Sequence, residues 1–303
     1  MKQFHLKWEV KKEHDGLLLR EFLRIMELSK RALTDIKFQG GKILVNNEEK
    51  TVRSIVKEHD LINVYFPIEK PSKELVAQAV PFGIVYEDEA ILVVNKPAGI
   101  SSIPSREHPN GTLANGILHY YQQIGLQSTI HIVTRLDKDT SGLMLIAKNR
   151  YVHYLFSKNE LKDVNRKYKA IVHGNMSESA GVISARIARK SNSIIEREVS
   201  QEGQEAITNF KVLQKFEEFS IVELQLETGR THQIRVHMSS INHPLVGDDL
   251  YGGSVSTLKR QALHSYYLSF VHPIHKTENS FEIDLPEDLN KWLSTNILGH
   301  ETK

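Results

Sequence analysis

From Ser141 to Ala147 the chain reads Ser-Gly-Leu-Met-Leu-Ile-Ala, a run of strand length with almost no polar interruption. Alternation would mark a strand with one wet face; its absence predicts a buried strand. The end of a buried strand is a rigid mount, and a loop held there is a common place for catalytic groups. The loop in question is Val133-Thr134-Arg135-Leu136-Asp137-Lys138-Asp139-Thr140. Asp137 has Arg135 two residues before it and Lys138 directly after it. Nearby positive charge favours an ionised carboxylate, usable as a nucleophile or a base. The same residues suit a plain turn whose Asp and Ser/Thr side chains cap backbone groups, and local chemistry alone favours that simpler reading.

Composition narrows the class. A chain of 303 residues is long enough for two domains, and 40% hydrophobic with 25% charged residues is ordinary for a globular protein. The net charge of +2 points only weakly to nucleic acid, so clustering of Lys and Arg matters more than the sum. Cysteine is absent, which excludes disulfides and thiolate metal sites and fits a reducing cytoplasm. The stretch from Met1 to Trp8 has no apolar core of signal-peptide length, and no later run approaches the ~20 residues of a membrane span. The expectation is a cytoplasmic protein without a membrane anchor.

Residues 16–66 read as one unit. Leu17, Leu18, Leu19, Phe22, Leu23 and Met26 recur at helical spacing. Ser29 is a suitable N-cap for a second helix through Ala32, Leu33, Ile36 and Phe38, stopped at Gly40-Gly41. Ile43–Val45 and Leu61–Tyr65 read as strands. The two prolines and mixed charge of Pro67-Ile68-Glu69-Lys70-Pro71 mark a linker over 67–80. Beyond it, strands are expected near 82–86, 90–95, 143–148, 167–173, 181–187, 205–213 and 219–226, with helices near 112–124, 150–161 and 231–240. Strands outnumber helices and often adjoin, which suits an α+β domain around a largely antiparallel sheet.

Four segments carry a family resemblance. Arg135-Leu136-Asp137, then Thr140-Ser141-Gly142 and the apolar strand, resemble the catalytic motif of the RluA family of pseudouridine synthases. Glu87 to Gly99 looks like the family's first motif, and Arg166 to Gly174 and Thr228 to His237 look like its later ones. The resemblance runs from about residue 80 to 290. It implies an α+β fold with a mixed, mostly antiparallel, bent central sheet over 81–303. Helix, helix, Gly-Gly and two strands over 1–66 are similar to the small αα-β RNA-binding module of ribosomal protein S-four. In that likeness Lys30 and Arg31 open the RNA-facing helix, with Lys37 and Lys42 near the same surface.

By the resemblance, uridine in structured RNA is cleaved at its glycosidic bond, turned and rejoined through carbon. That chemistry implies no cofactor and no metal, and it requires the uridine to leave its stack. Asp137 is the implied essential aspartate, attacking sugar or base or abstracting a sugar proton, with Asp139 second on register. Arg135 is implied to enter the RNA beside the flipped nucleotide, its guanidinium stacking and binding phosphate. Tyr168 is implied to stack on the target base. Arg235 is the implied ionic partner of Asp137, on a helix that Thr231 can cap, with Ile234, Met238 and Ile241 forming its apolar stripe. Ile234 matches the apolar position packing near uracil. Arg230 and Lys148 read as supporting phosphate contacts or surface charges. Thr134 stands where many family members carry His; Thr hydrogen-bonds but does not titrate near neutrality, which bears on how the loop meets RNA.

Rival chemistries fit less well. His232 and His237 match neither His-Glu-x-x-His nor one helix face, so the histidines are expected to pack, cap or meet phosphate. Gly-x-Ser-x-Gly and the Gly-x-x-x-x-Gly-Lys loop are absent. A non-catalytic RNA-binding or ribosome-assembly factor would explain the N-terminal module, but binding alone does not require Asp137, Tyr168 and Arg235 together. The partner expected is RNA, most commonly large-subunit ribosomal RNA in this family with transfer RNA as the alternative, and the default state is a monomer.

Overall fold

A computed structural model describes residues 3–158 and 161–301. In the N-terminal part, β1 (His5–Glu9), α1 (Leu19–Ile25), α2 (Lys30–Phe38), β2 (Lys42–Val45), β3 (Glu48–Glu49) and β4 (Leu61–Tyr65) follow in order. Strand alternation turns Leu6, Ile43, Val45, Ile62 and Val64 inward, where Leu19, Phe22 and Leu23 of α1 and Ile36 of α2 meet them. Ser29 caps α2 by accepting from the Ala32 N–H at 3.1 Å. Asn46 and Asn47 both take positive φ (51° and 68°), the backbone a two-residue hairpin needs between β2 and β3. The four strands pair antiparallel in the order β1-β4-β2-β3. β1 was not among the strands expected from sequence.

Residues 67–80, expected as a linker, are bonded to the larger unit. Glu69 accepts from the Arg150 N–H at 2.7 Å and pairs with His131, and Val76 O accepts from Asn115 Nδ2 at 2.7 Å. The small unit itself packs on the large one. Phe66 lies 4.9 Å from the Tyr151 ring, and the Tyr151 hydroxyl donates to Met26 O at 3.1 Å.

The larger unit contains β5 (Gly83–Glu87), β6 (Ile91–Lys96), α3 (Leu113–Gln123), β7 (His131–Ile132), β8 (Ser141–Ala147), α4 (Arg150–Ser157) and β9 (Val164–His173). β10 (Ala180–Ser184), β11 (Ile187–Arg189), β12 (Arg197–Val199), β13 (Ile207–Lys215), β14 (Phe219–Leu226) and α5 (Gln233–Ser240) follow. β15 (Leu263–Val271), β16 (Glu278–Glu282) and α6 (Glu287–Glu301) complete it. Its main sheet runs β10-β13-β14-β9-β15-β8-β6-β5, with β16 added on β15 and β7 on β8. Every pairing is antiparallel except β15 with β8, so the sheet is mixed and mostly antiparallel.

β8 is buried along its whole length, as its unbroken apolar sequence predicts. Three expectations need correction. Residues 181–187 form no single strand: Ile187 exchanges both backbone hydrogen bonds with Gln204 at 2.9 Å, which carries β11 out of the main sheet to pair with β12. The helix expected to 161 is α4, ending at Ser157, and residues 159–160 of that expectation lie outside the described residues. β15, the strand at the parallel junction, was not expected at all. Gly142 makes that junction possible. Its φ is +119°, and a Cβ there would lie 2.2 Å from Ser265 O. Among the described residues no helix is long and apolar enough to cross a membrane.

Candidate active site

The loop before β8 is pinned residue by residue. Thr134 is buried at 4% exposure, and its hydroxyl accepts from the Leu145 N–H at 2.9 Å. The position therefore supports the loop from inside. Ser102 Oγ donates to Leu136 O at 2.6 Å and accepts from Leu136 N–H at 3.2 Å. Arg260 Nη1 donates to Asp139 O at 3.1 Å, and Gln261 Nε2 to Thr140 Oγ1 at 3.2 Å. Lys96, wholly buried, donates to Pro97 O, Ile100 O and Lys138 O at 2.8–2.9 Å, one carbonyl for each ammonium hydrogen. Burial pulls its pKa down to about 7, against the attraction of Asp139 and Asp137. With its backbone held in this way, the loop leaves Arg135 and Lys138 exposed and Asp137 partly open, its side chain 27% exposed.

Of the two acids, Asp137 faces the cation. Arg235 Nη1 lies 3.3 Å from Asp137 Oδ2, and His232 Nε2 lies 3.9 Å from the same oxygen. Among the described residues no hydrogen bond reaches Asp137 Oδ1, and none reaches the carboxylate of Asp139. Arg235 is buried and has a stronger partner than Asp137: its Nε and Nη2 donate to the two oxygens of Asp248 at 2.7 Å each. That fork-on-fork geometry fixes the guanidinium plane. The ring of Tyr251 lies against the same guanidinium, 4.9 Å from its carbon. Burial works against the charge on Arg235, and Asp248 and Asp137 outweigh it, raising its pKa.

An apolar wall adjoins the acid. Tyr168, Ile234, Leu136 and Met238 belong to one buried cluster, and the sheet register sets Gly142, Ser265 and Tyr168 side by side on β8, β15 and β9. Burial pushes the Tyr168 phenol up; Arg166 opposes that shift and Asp137 adds to it. The guanidinium of Arg166 packs beside Gly229, and its buried Nε has no hydrogen-bond partner among the described residues.

The structure thus brings together Asp137, Tyr168, Ile234 and Arg235 from three separate segments, the last two being neighbours on α5. Arg135 is exposed beside them, with no hydrogen bond or ion pair among the described residues. Lys30, Arg31, Lys37 and Lys42 are all exposed on the small unit, away from this cluster in the chain; the Lys37 and Lys42 ammonium groups lie 4.9 and 4.8 Å from the ring centres of Phe38 and Tyr65. One supporting assignment changes. Lys148 is buried and bonds Glu87 at 2.7 Å and Asp88 O at 2.6 Å, so it is neither a surface charge nor a phosphate contact. Arg230 Nε donates to Glu205 O at 2.9 Å. The cap of α5 also differs. His232, not Thr231, precedes the helix, in a left-handed conformation, and Gln233 holds the turn by accepting from the Arg230 N–H at 2.9 Å and the Thr228 hydroxyl at 2.8 Å.

Sequence reasoning missed Asp248, Tyr251, Lys96 and Arg166, and gave His232 no role beyond packing, capping or meeting phosphate. His237 spends both ring nitrogens on Thr208 Oγ1 and Ala185 O, and His264 Nδ1 meets Ser141 Oγ. Asp88, His272 and His275 approach a metal-like cluster. However, His272 Nδ1 accepts from the Ile274 and His275 N–H groups, which leaves its proton on Nε2 facing Asp88. That arrangement is a hydrogen bond, not a ligand pair.

Comparison with known proteins agrees with this geometry. The family model described as RNA pseudouridylate synthase matches residues 90–240. A Bacillus subtilis protein named uncharacterized RNA pseudouridine synthase YjbO is 51% identical over 278 residues, 91% of this chain and 98% of that protein. Ribosomal large subunit pseudouridine synthase D of Yersinia pestis is 40% identical, covering 82% of this chain and 79% of its own. The solved structure of human RNA pseudouridylate synthase domain containing 4 has a TM-score of 0.57 at 26% identity, covering 70% of this chain and 92% of its own. On the motifs, the mixed sheet and these matches, the chain belongs to the RluA family of RNA pseudouridine synthases.

Proposed function

We propose that the protein isomerises particular uridines of large-subunit ribosomal RNA, with Asp137, Tyr168 and Arg235 as its catalytic residues. The C1′–N1 bond breaks, the uracil turns, a C1′–C5 bond forms, and a proton leaves C5 while N1 gains one. The observation that carries this reading is the state of Asp137. One carboxylate oxygen is engaged by Arg235 and the other is unengaged, on a loop whose backbone is held from beneath. A fixed carboxylate with one open oxygen suits work at the sugar or base of a flipped-out uridine.

Arg135, exposed and unpaired beside the acid, takes the place the uridine leaves in the RNA stack and binds phosphate. Tyr168 and Ile234 line the uracil side. The small unit over 1–66 is an S-four-like RNA-binding domain that uses Lys30, Arg31, Lys37 and Lys42; residues 67–80 connect it to the catalytic domain over 81–303. Asp137, Tyr168 and Arg235 come from one chain, so a monomer suffices. Ribosomal RNA as substrate sets the protein in the cytoplasm and calls for no cofactor. Ribosomal RNA is favoured over transfer RNA because the Yersinia pestis relative is named for the large subunit.

Mapping pseudouridine in RNA from cells with and without the gene tests this. Loss of specific positions in large-subunit ribosomal RNA is expected. Loss confined to transfer RNA would move the substrate, and no loss in any RNA would overturn the reading.

A further inference from the structure

His232 occupies a backbone conformation that L side chains rarely adopt, with φ 57° and ψ 19°, immediately before α5. Strain of this kind persists where the surroundings fix it, often at a working site. Here it sets the imidazole between two groups. Nδ1 lies 2.8 Å from the Tyr251 hydroxyl, and Nε2 lies 3.9 Å from Asp137 Oδ2.

The hydrogen-bond chain favours one place for the imidazole proton. Arg197 N–H donates to the Tyr251 oxygen at 2.9 Å, from the start of the β12 strand. A phenol that already accepts in this way is free to donate its own hydrogen to Nδ1, which leaves the ring proton on Nε2, the nitrogen turned to the acid. Burial lowers the His232 pKa and favours the neutral ring; Asp137 and Asp248 work against this, while Arg235 and Arg197 work with it. The Tyr251 ring also lies against Arg235, so one side chain braces both donors that face Asp137.

We propose that His232 is a positioning residue for Asp137: its Nε2–H and Arg235 Nη1 together hold Oδ2, so that Oδ1 is the oxygen presented to the uridine. The 3.9 Å separation closes to a hydrogen bond when RNA fills the site, as catalytic contacts commonly tighten in the complex. The proposal rests on the functional reading above.

The test uses the full-length protein and [5-³H]uridine-labelled ribosomal RNA from cells lacking it, with kcat and KM read from tritium release. His232→Gln places an amide nitrogen near the Nε2 position, whereas His232→Asn reaches only the Nδ1 position while tolerating the left-handed backbone. His232→Asn should lower kcat roughly 100-fold with KM changed less than about threefold, the scale expected for a misplaced catalytic group. His232→Gln should recover about tenfold of that loss. Tyr251→Phe, which leaves the α5 turn residues unchanged and removes the hydroxyl that meets His232 Nδ1 and the Arg197 N–H, should also lower kcat more than KM. Equal losses in the Asn and Gln variants, an effect on KM alone, or kcat within about threefold of wild type for His232→Asn and Tyr251→Phe would each overturn the role of His232. Wild-type protein that releases no tritium from any RNA would instead defeat the underlying functional reading.

Discussion

Replacing Asp248 by Asn removes what holds Arg235 against the loop that carries Asp137. The wild-type pair has two charge-assisted hydrogen bonds of 2.7 Å, an arginine side chain 8% exposed and a carboxylate with no exposed surface. Taking one partner from a buried pair costs about 3–5 kcal/mol, because the other charge stays behind uncompensated. An Asn oxygen still accepts one bond, and Asp137 is only 3.3 Å from Nη1, so the loss belongs at the lower end, about 3 kcal/mol. In a chain of this size that lowers Tm by roughly 5 °C. Urea unfolding and thermal melts of Asp248→Asn, Arg235→Met and the double variant measure it. The pair should show a coupling of about 2 kcal/mol, since the double variant no longer buries a lone charge. A loss below about 1 kcal/mol for Asp248→Asn, or losses that simply add, would refute the claim that Asp248 holds Arg235 in place.

Three further substitutions or conditions probe the scaffold. Lys96→Met strips the donor from the carbonyls of Lys138, Pro97 and Ile100; it should cost about 2–3 kcal/mol and speed amide exchange across 136–140, and an unchanged exchange pattern would contradict the proposed pinning. Gly142→Ala drives a Cβ to 2.2 Å from Ser265 O, so soluble folded protein should be lost, and a normal melt would show that the parallel junction is not closed there. His264 is buried, and burial lowers its pKa to about 4, while an unfolded histidine titrates near ~6.5. The unfolded state therefore binds the proton first: stability is intact above about pH 6.5 and falls by up to ~1.4 kcal/mol per unit as pH drops toward about 4. Urea midpoints from pH 7 to 4 should show that slope in wild type and a shallower one in His264→Gln.

How much was legible follows from how local each signal is. The burial of β8 and the Ser29 cap of α2 are written in adjacent residues, and the structure contains both. The choice of Asp137 over Asp139 came from motif register, and the ion pair to Arg235 falls on the same acid. Asp248 was invisible because nothing beside it in sequence says that it lies under an arginine thirteen residues earlier. β15 was missed because its buried face includes His264 and Tyr266, polar residues whose partners Ser141 and Glu223 are far away in the chain. Lys148 read as a surface charge for the same reason: Glu87 neutralises it from sixty-one residues upstream. Thr231 is a reasonable cap by residue type, yet Gln233 bonds the turn itself and lets His232 take the strained position.

The proposed chemistry turns on Asp137, and tritium release from the fifth position of uracil in unmodified ribosomal RNA tests it most directly. Wild-type protein should release tritium in proportion to the pseudouridine formed. Asp137→Ala should release none while its RNA affinity stays within about threefold of wild type, because among the described residues its carboxylate meets only Arg235, which Asp248 retains, and His232 at 3.9 Å. Tritium release by Asp137→Ala at the wild-type rate, with Asp139 or another group able to substitute, would contradict the assignment of Asp137 as the essential acid.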